Sequence, residues 1–547
     1  MEFDDSKEFR NAGYVEAEPF GDDDEIADLD VLANAFELEQ DSAVGVEVAA
    51  QEEAVPPTER VYDRLMQRFR MPAELPGAET PDVPDFGRRN DPEYSMRIHK
   101  YFPDVAFKRP AVFPDANAGQ YTLDELINLA LANNPLIAQA EAGVQQATGL
   151  AVQAGIYPNP IVGYQGDTIG SDSNRNFHGV FVTQTVKTAG KLDLARSAAN
   201  VDLLNAQLTA RKTRIEVITN VRDAYNAVLV ATEAVIVADA LSRFTSEVYK
   251  IQVDQLLGEQ VASYEPAQLR ALALQQRNAL VLAENRYKSA WKQLATQIGV
   301  ADLTPATLEG DAMDAVPELD YDAILARILS MHTDILAARN SQTQARIQLR
   351  LAEVTPVPDL LVYAAAQRDF LQVNFRGTSY NLQVGIPLPV FDRNVGGIRF
   401  AQGSLNRATQ EINRVEYMLT QQFADAFERY SNSQVQIEII RNRMIPDLVL
   451  AYRKIYVAYN AMGNRQEIGS VAFGDVVVAQ QNLQTAIAQY IAALGAQWVA
   501  LNDIAALAQV ENINDLLADP NAPPGMNPRP VPAATEDEIP DIPAPAP

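Results

Sequence analysis

Residues 384–402 read VGIPLPVFDRNVGGIRFAQ: an apolar stretch meets Pro387 and Pro389, passes the pair Gly396 and Gly397, and runs into a long polar helical sequence. Working back from it, Tyr380, Leu382, Val384, Ile386 and Leu388 fall on one face of an extended chain, with Asn381, Gln383, Gly385 and Pro387 on the other. Such alternation is the mark of a strand with one apolar face and one polar or small face. Proline has no N–H to give to a ladder, so Pro387 and Pro389 end the strand. Gly396 and Gly397 supply the backbone freedom for the turn into helix.

The same grammar occurs once more upstream. NNPLIAQAEAGVQQATGLAVQAGIYPNPIVGYQ from Asn133 lines up with MHTDILAARNSQTQARIQLRLAEVTPVPDLLVY from Met331, with Pro158 and Pro160 matched to Pro356 and Pro358 at an offset of 198. KLDLARSAANVDLLNAQL from Lys191 matches GIRFAQGSLNRATQEI from Gly397, so Gly190 stands where the glycine pair stands. Gly258 and Gly463 match in the same way at an offset of 205. A near-constant offset across three landmarks argues for duplication of one unit. Each unit reads helix, strand, strand, long helix, tight turn, helix.

The long helix of the first unit carries heptads. Val201, Leu208, Ile215, Arg222, Leu229 and Ile236, with Leu204, Arg211, Ile218, Tyr225, Thr232 and Asp239, form an apolar seam broken by Arg211, Arg222, Thr232 and Asp239. A seam this long predicts coiled-coil-like packing, and Lys191 to Leu257 at 1.5 Å per residue spans roughly 100 Å. The predicted fold is therefore mainly α with a small β part: long coiled-coil helices and two β-hairpins. The expected divisions are an acidic, then Pro-rich and largely disordered extension over 1–118, repeats over 119–315 and 316–511, and a Pro-rich tail over 512–547.

Composition narrows the function. Residues 1–60 hold 19 Asp and Glu against Lys7, Arg10 and Arg60, over half of the chain's net charge of -28. Such a run reads as a solvated arm, and there is no basic footprint for nucleic acid. With no cysteine, disulfides, thiolate metal sites and a lipid-modified cysteine are excluded. The opening MEFDDSKEFR has neither basic nor apolar leader regions, so an exported chain needs a leader upstream of it. No uninterrupted apolar run reaches 18 residues, which argues against a transmembrane helix and says nothing against a β-barrel. His99, His178 and His332 lie far apart and no phosphate or dinucleotide loop occurs, so no catalytic residue, metal site or cofactor is expected.

Four strands with one apolar face fit any antiparallel sheet wet on one side. In a membrane they cannot close a barrel alone, and open edges in hydrocarbon cost several kcal/mol per unpaired group. Three chains would give twelve strands, within the known range. A soluble coiled-coil scaffold with an acidic arm is the alternative.

The repeat, the P-x-P strand starts and VGIPLPVFDRNVGGIRFAQGSL together resemble the outer-membrane efflux protein family of TolC-like factors over about residues 119–510. PLPVFDRN and TQTVKTAGK are similar to its heavy-metal cation branch. The resemblance implies a homotrimer, a twelve-stranded barrel in outer-membrane lipid, a periplasmic α-barrel, and partnership with an adaptor protein and an inner-membrane pump. It places Tyr380, Leu382, Val384, Ile386 and Leu388 against lipid, and Asn381 and Gln383 towards the lumen. The periplasmic, adaptor-docking tips fall at Gly258, Ser263 and Glu265, and at Gly463, Ser470 and Asp475. A glycine there would end the descending helix, a serine would cap the ascending one, and acidic side chains would narrow the closed channel and favour cations.

Overall fold

The computed structural model describes residues 86–87, 89–105, 113–114, 119–167, 176–370, 377–461 and 473–516, all within one compact unit, Asp85–Pro547. In chain order these form α1 (Tyr94–Tyr101), β1 (Gln120–Tyr121), α2 (Leu123–Asn133), α3 (Pro135–Ala154), β2 (Ile161–Asp167), β3 (Phe177–Val186), α4 (Lys191–Leu257) and α5 (Tyr264–Ile298). The second half gives β4 (Thr307–Leu308), α6 (Tyr321–Met331), α7 (Thr333–Val354), β5 (Leu360–Asp369), β6 (Thr378–Gly385), α8 (Val395–Ile439), α9 (Ile445–Ala461) and α10 (Phe473–Leu507). The duplicated grammar is present, down to the helix breaks. Asn134 caps α3 through the N–H of Leu136, and His332, 198 residues on, caps α7 through the N–H of Asp334. Side-chain acceptors at these positions satisfy N–H groups that a helix start leaves unpaired.

Helix α4 is the 67-residue rod that the heptads predict. Its buried seam starts in the predicted register, at Val201, Leu208, Ile215 and Arg222, and then moves back by one residue to Val228, Val235, Ser242, Tyr249 and Leu256. The change falls where the helix changes partners. Towards the sheet, Leu194 and Val201 pack on Ile347 and Val354 of α7. At mid-height, residues 217–235 sit in a belt made by α2 and α5. Beyond it, Val248, Tyr249, Val253 and Leu256 pack on α1 and α5. Three of the four polar interruptions have hydrogen-bond partners. Arg222, buried, donates to the carbonyl of Glu511; Asp239 pairs with Arg243; the Thr232 hydroxyl donates to Val228 O at 2.8 Å.

The matching helix α8 does not run unbroken. A π turn at Ile440–Met444 precedes α9. Pro446 is the cause: it lacks an N–H and its ring crowds the carbonyl four residues back. Helix α10 is long and apolar enough to cross a membrane by length and composition, although it holds no uninterrupted apolar run of 18 residues. Half of that window is buried, and its residues pack in the belt with α6, α7 and α8.

Residues 86–105, placed by composition in a disordered extension, contain α1, which is docked on the far end of α4. Tyr94 and Arg270 hydrogen-bond to Leu256 O and Tyr101 O at 3.3 and 3.0 Å, and Tyr249 to Pro103 O at 3.1 Å. Ile98 and Phe102 fill the space between α4 and α5. Four aromatic residues in a proline-rich stretch are the signal that the composition argument passed over. The acidic run 1–60, most of the C-terminal tail, and the loops between paired strands lie outside the described residues.

Candidate functional site

Strands β2, β3, β5 and β6 form one antiparallel sheet in that order, so the two hairpins join through β3 and β5. Register carries the face pattern across it. Tyr164 opposes Val180, which opposes Ala366, which opposes Tyr380; the next row of that face is Val162, Val182, Ala364 and Leu382. Between a polar row at one end, Gly166, His178, Arg368 and Thr378, and Gln184 at the other, this face is apolar and bare: Tyr380 is 82 % exposed, Leu382 73 %, and Val384, Ile386 and Leu388 are exposed with them. A continuous exposed apolar surface of this kind marks contact with lipid or protein.

The other face is mixed: a polar network shares it with Ile161, Phe177 and Leu361. Gln165 donates to Asp167 at 3.0 Å and accepts from the Tyr363 hydroxyl, while Gln367 donates to Asp167 at 2.5 Å. Asn381 and Gln383 lie on this side. Phe181, an apolar residue at a polar position, breaks the alternation because Gly163 leaves it room. A Cβ at Gly163 would come within 2.6 Å of the Phe181 ring, which stacks on Tyr363 at 5.7 Å.

Below the sheet the chain turns into the long helices at two junctions. Gly190 caps α4 with φ +67°, in the left-handed region where glycine has no steric cost. The counterpart at α8 is Asn394, φ +56°, and not the glycine pair: Gly396 and Gly397 lie in the first helical turn. Gly397 is needed for a different reason. A Cβ there would run into the Asn394 side chain, whose Nδ2 donates to Ala352 O at 2.8 Å. Pro387 and Pro389 lie beyond the last paired residue, Gly385.

The first junction also holds an ionic clamp. Asp359, just before β5, accepts from Lys187 at 2.8 Å and Lys191 at 2.9 Å, and from the Thr188 N–H at 3.2 Å. Burial pushes its carboxyl up, but the two lysines and the amide outweigh it and hold it down to about 2. A depressed carboxylate stabilises the fold above its ordinary value of 3.8, and that contribution disappears as pH falls through about 2. Solvent screening leaves about 1 kcal/mol of it. Asp359→Asn is expected to lower the unfolding midpoint at pH 7 and to leave it unchanged near pH 2. An equal loss at both pH values would refute the electrostatic account.

At the far end, Gly258 is the C-cap of α4, still with right-handed helical backbone angles, and Glu259, φ +57°, makes the left-handed turn. Gln260 N–H donates to Gln255 O and Glu259 N–H to Leu256 O, both at 3.0 Å, the Schellman pattern one residue later than expected. Ser263 makes no side-chain cap. Glu265 is buried: it accepts from Gln252 at 2.6 Å and from the hydroxyl of Tyr459 on α9, so it ties the two helical hairpins together and is no free acidic group. Asp475 is exposed in the first turn of α10, where the helix dipole favours an acid. Gly463 and Ser470 lie outside the described residues. Sequence pattern could not find the tie, since Glu265 and Tyr459 are 194 residues apart. Tyr459→Phe is expected to cost about 1–2 kcal/mol by leaving a buried carboxylate short of a donor. Hydrogen exchange at the tips of α4 and α5 should rise, and unchanged protection would show that Gln252 alone suffices.

Comparison with known proteins agrees with this geometry. The family model described as Outer membrane efflux protein matches residues 126–300 and 324–508. The cobalt-zinc-cadmium resistance protein CzcC of Cupriavidus metallidurans is 23 % identical over 403 residues, covering 73 % of this chain and 93 % of its own. The pyoverdine export outer membrane protein OpmQ of Pseudomonas putida is 25 % identical, covering 66 % of this chain and 80 % of its own. Among solved structures, CusC superposes with a TM-score of 0.59 at 17 % identity, over 74 % of this chain and 97 % of that one.

Proposed function

Since this chain belongs to the outer membrane efflux protein family and is the outer-membrane channel of a tripartite efflux system, not an enzyme, we propose that three copies close its open sheet into a barrel and that the conduit passes heavy-metal cations. The observation that carries the reading is the bare apolar face of a four-stranded sheet with two unpaired edges. In water such a face is a liability, and in lipid each large side chain on it is favourably placed. Tyr380, Leu382, Val384, Ile386 and Leu388 then face lipid, and Asn381 and Gln383 line the lumen. The helical hairpins extend into the periplasm, and their tips at Gly258, Ser263, Glu265, Gly463, Ser470 and Asp475 receive an adaptor that connects to an inner-membrane pump.

The metal assignment rests on the similarity to CzcC along nearly all of that protein's length. The channel acts passively: its residues shape a path and its charges bias which ions enter. Asp475, exposed in the first turn of α10, is a described carboxylate placed to do so. Growth of a deletion strain on graded cobalt, zinc and cadmium tests the substrate. Sensitivity rescued by the unaltered gene is expected, whereas normal growth on metals with loss of siderophore export would move the assignment to the class named for OpmQ. Detergent dependence and a heat-labile trimer band in gentle electrophoresis test the barrel itself. A water-soluble monomer would remove it.

A further inference from the structure

The duplication fixes a strand register that one chain cannot complete. Two offsets relate the halves at the sheet: 198 residues for the strand starts, Pro158 and Pro160 to Pro356 and Pro358, and 204 for the left-handed helix starts, Gly190 to Asn394. The ladders agree with both. Moving the first hairpin's pair Ile161↔Thr183 by these offsets lands on Asp359 and Pro387, one step of two beyond the observed pair Leu361↔Gly385. The junction between hairpins inside the chain, β3 with β5, can therefore be carried onto the free edges, β6 with β2 of another copy. Its terminal pair Val186↔Leu360 becomes Val390 opposite Val162 of the adjacent copy.

Hydrogen-bond direction gives an independent check. Phe370 N–H donates to Asn176 O at 3.0 Å, so even-numbered residues face each other across β3 and β5. In an antiparallel ladder the groups alternate sides, so odd residues join β5 to β6, and even residues of β6 and β2 point outward from the two edges. The transferred pairs, Ile386 with Gly166, Leu388 with Tyr164 and Val390 with Val162, are all even with even; in the single chain Val390 N–H donates to Leu388 O at 2.9 Å, a turn that opens when the pair with Val162 forms. Pro387 and Pro389 are odd. Their missing N–H groups face their own β5, where the ladder stops at Gly385, and interrupt nothing at the outer edge.

The side chains complete the case. At the junction inside the chain, Lys187 and Lys191 clamp Asp359. The same offsets turn these three positions into Phe391, Val395 and Ile161. Phe391 is 99 % exposed, Ile161 65 % and Val395 54 %, three bare apolar residues where the internal seam has three charges. Resting on the trimer reading above, we propose that Ile386–Phe391 continues β6 as the strand that pairs with β2 of the adjacent copy, and that Phe391 and Val395 close over that copy's Ile161 as an apolar clasp. The internal seam is ionic, and the seam between copies is apolar.

The chain has no cysteine, so introduced pairs report alone. Phe391 and Ile161 of the adjacent copy form a non-hydrogen-bonded pair, the closer kind. In outer membranes under mild oxidation, F391C/I161C is expected to give covalent dimers and trimers roughly tenfold faster than the register-shifted F391C/N159C, because disulfides need closely spaced Cβ atoms. Equal or faster linking of the shifted pair overturns the register, and absence of linking by both while heat-labile trimers persist overturns the clasp; either leaves the trimer standing. Loss of any trimer from the unaltered chain removes the functional reading itself. As a second arm, F391K and I161D singly should lower the temperature at which the trimer band dissociates, and F391K/I161D should recover it by rebuilding the internal ion pair. Lack of recovery, with both singles impaired, counts against the equivalence.

Discussion

Arginine at Leu382 is expected to eliminate the heat-labile trimer from outer membranes. Leu382 sits in the middle of the bare face, paired with Ala364 and flanked on its own strand by Tyr380 and Val384. A cation on the lipid face of a barrel costs about 2–4 kcal/mol at mid-depth. In a closed assembly each of three copies carries that cost at once, so it acts on assembly more strongly than on a single chain. The neighbouring substitution Gln383→Arg is the control. It puts the same charge on the opposite face, where water is available, and trimers should form with reduced cation conductance. If both variants assemble equally well, the apolar face does not meet lipid. If both fail, the position and not the face is what matters.

Gly179→Val should be nearly as damaging, for a steric reason. Gly179 lies in β3 opposite Gln367, on the central seam where the two hairpins meet. A Cβ built on it would land on the Ala366 carbonyl oxygen and within 2.7 Å of Gln367 Cα, backbone atoms with no rotamer to change. The strands would have to separate, at a cost expected to reach about 3 kcal/mol or more, in the range of the severe single substitutions. Loss of folded protein, measured as protease resistance after extraction, is the expected result. Gly163→Ala offers a graded comparison, because its obstacle is the Phe181 ring, which can shift. A Gly179→Val chain as resistant as the unaltered one would mean that β3 and β5 are not in close contact there.

Much of the molecule was legible because its information is periodic. Alternation along 380–388 gave the faces of β6, heptads gave the length of α4, and a repeated P-x-P gave the duplication. In each case the pattern depends on local geometry, and local geometry repeats with residue spacing. The heptad reading failed only where α4 exchanges one set of partners for another, since a seam follows its neighbours. The second junction illustrates the same limit: a glycine pair is the obvious hinge, yet the left-handed residue is Asn394, and Gly397 is small to accommodate it.

Residue order alone was enough to read the alternation along β6, the length of α4 and, by resemblance, the family. Only packing in three dimensions brings the hairpins together through β3 and β5, sequesters Glu265 behind Tyr459 and lays α1 on the tip of the first helical hairpin. Those outcomes are contacts between residues about 150 to 200 positions apart. No repeat along the chain encodes such a meeting. It is chosen by which surfaces fit and bury each other once the rods and strands already exist.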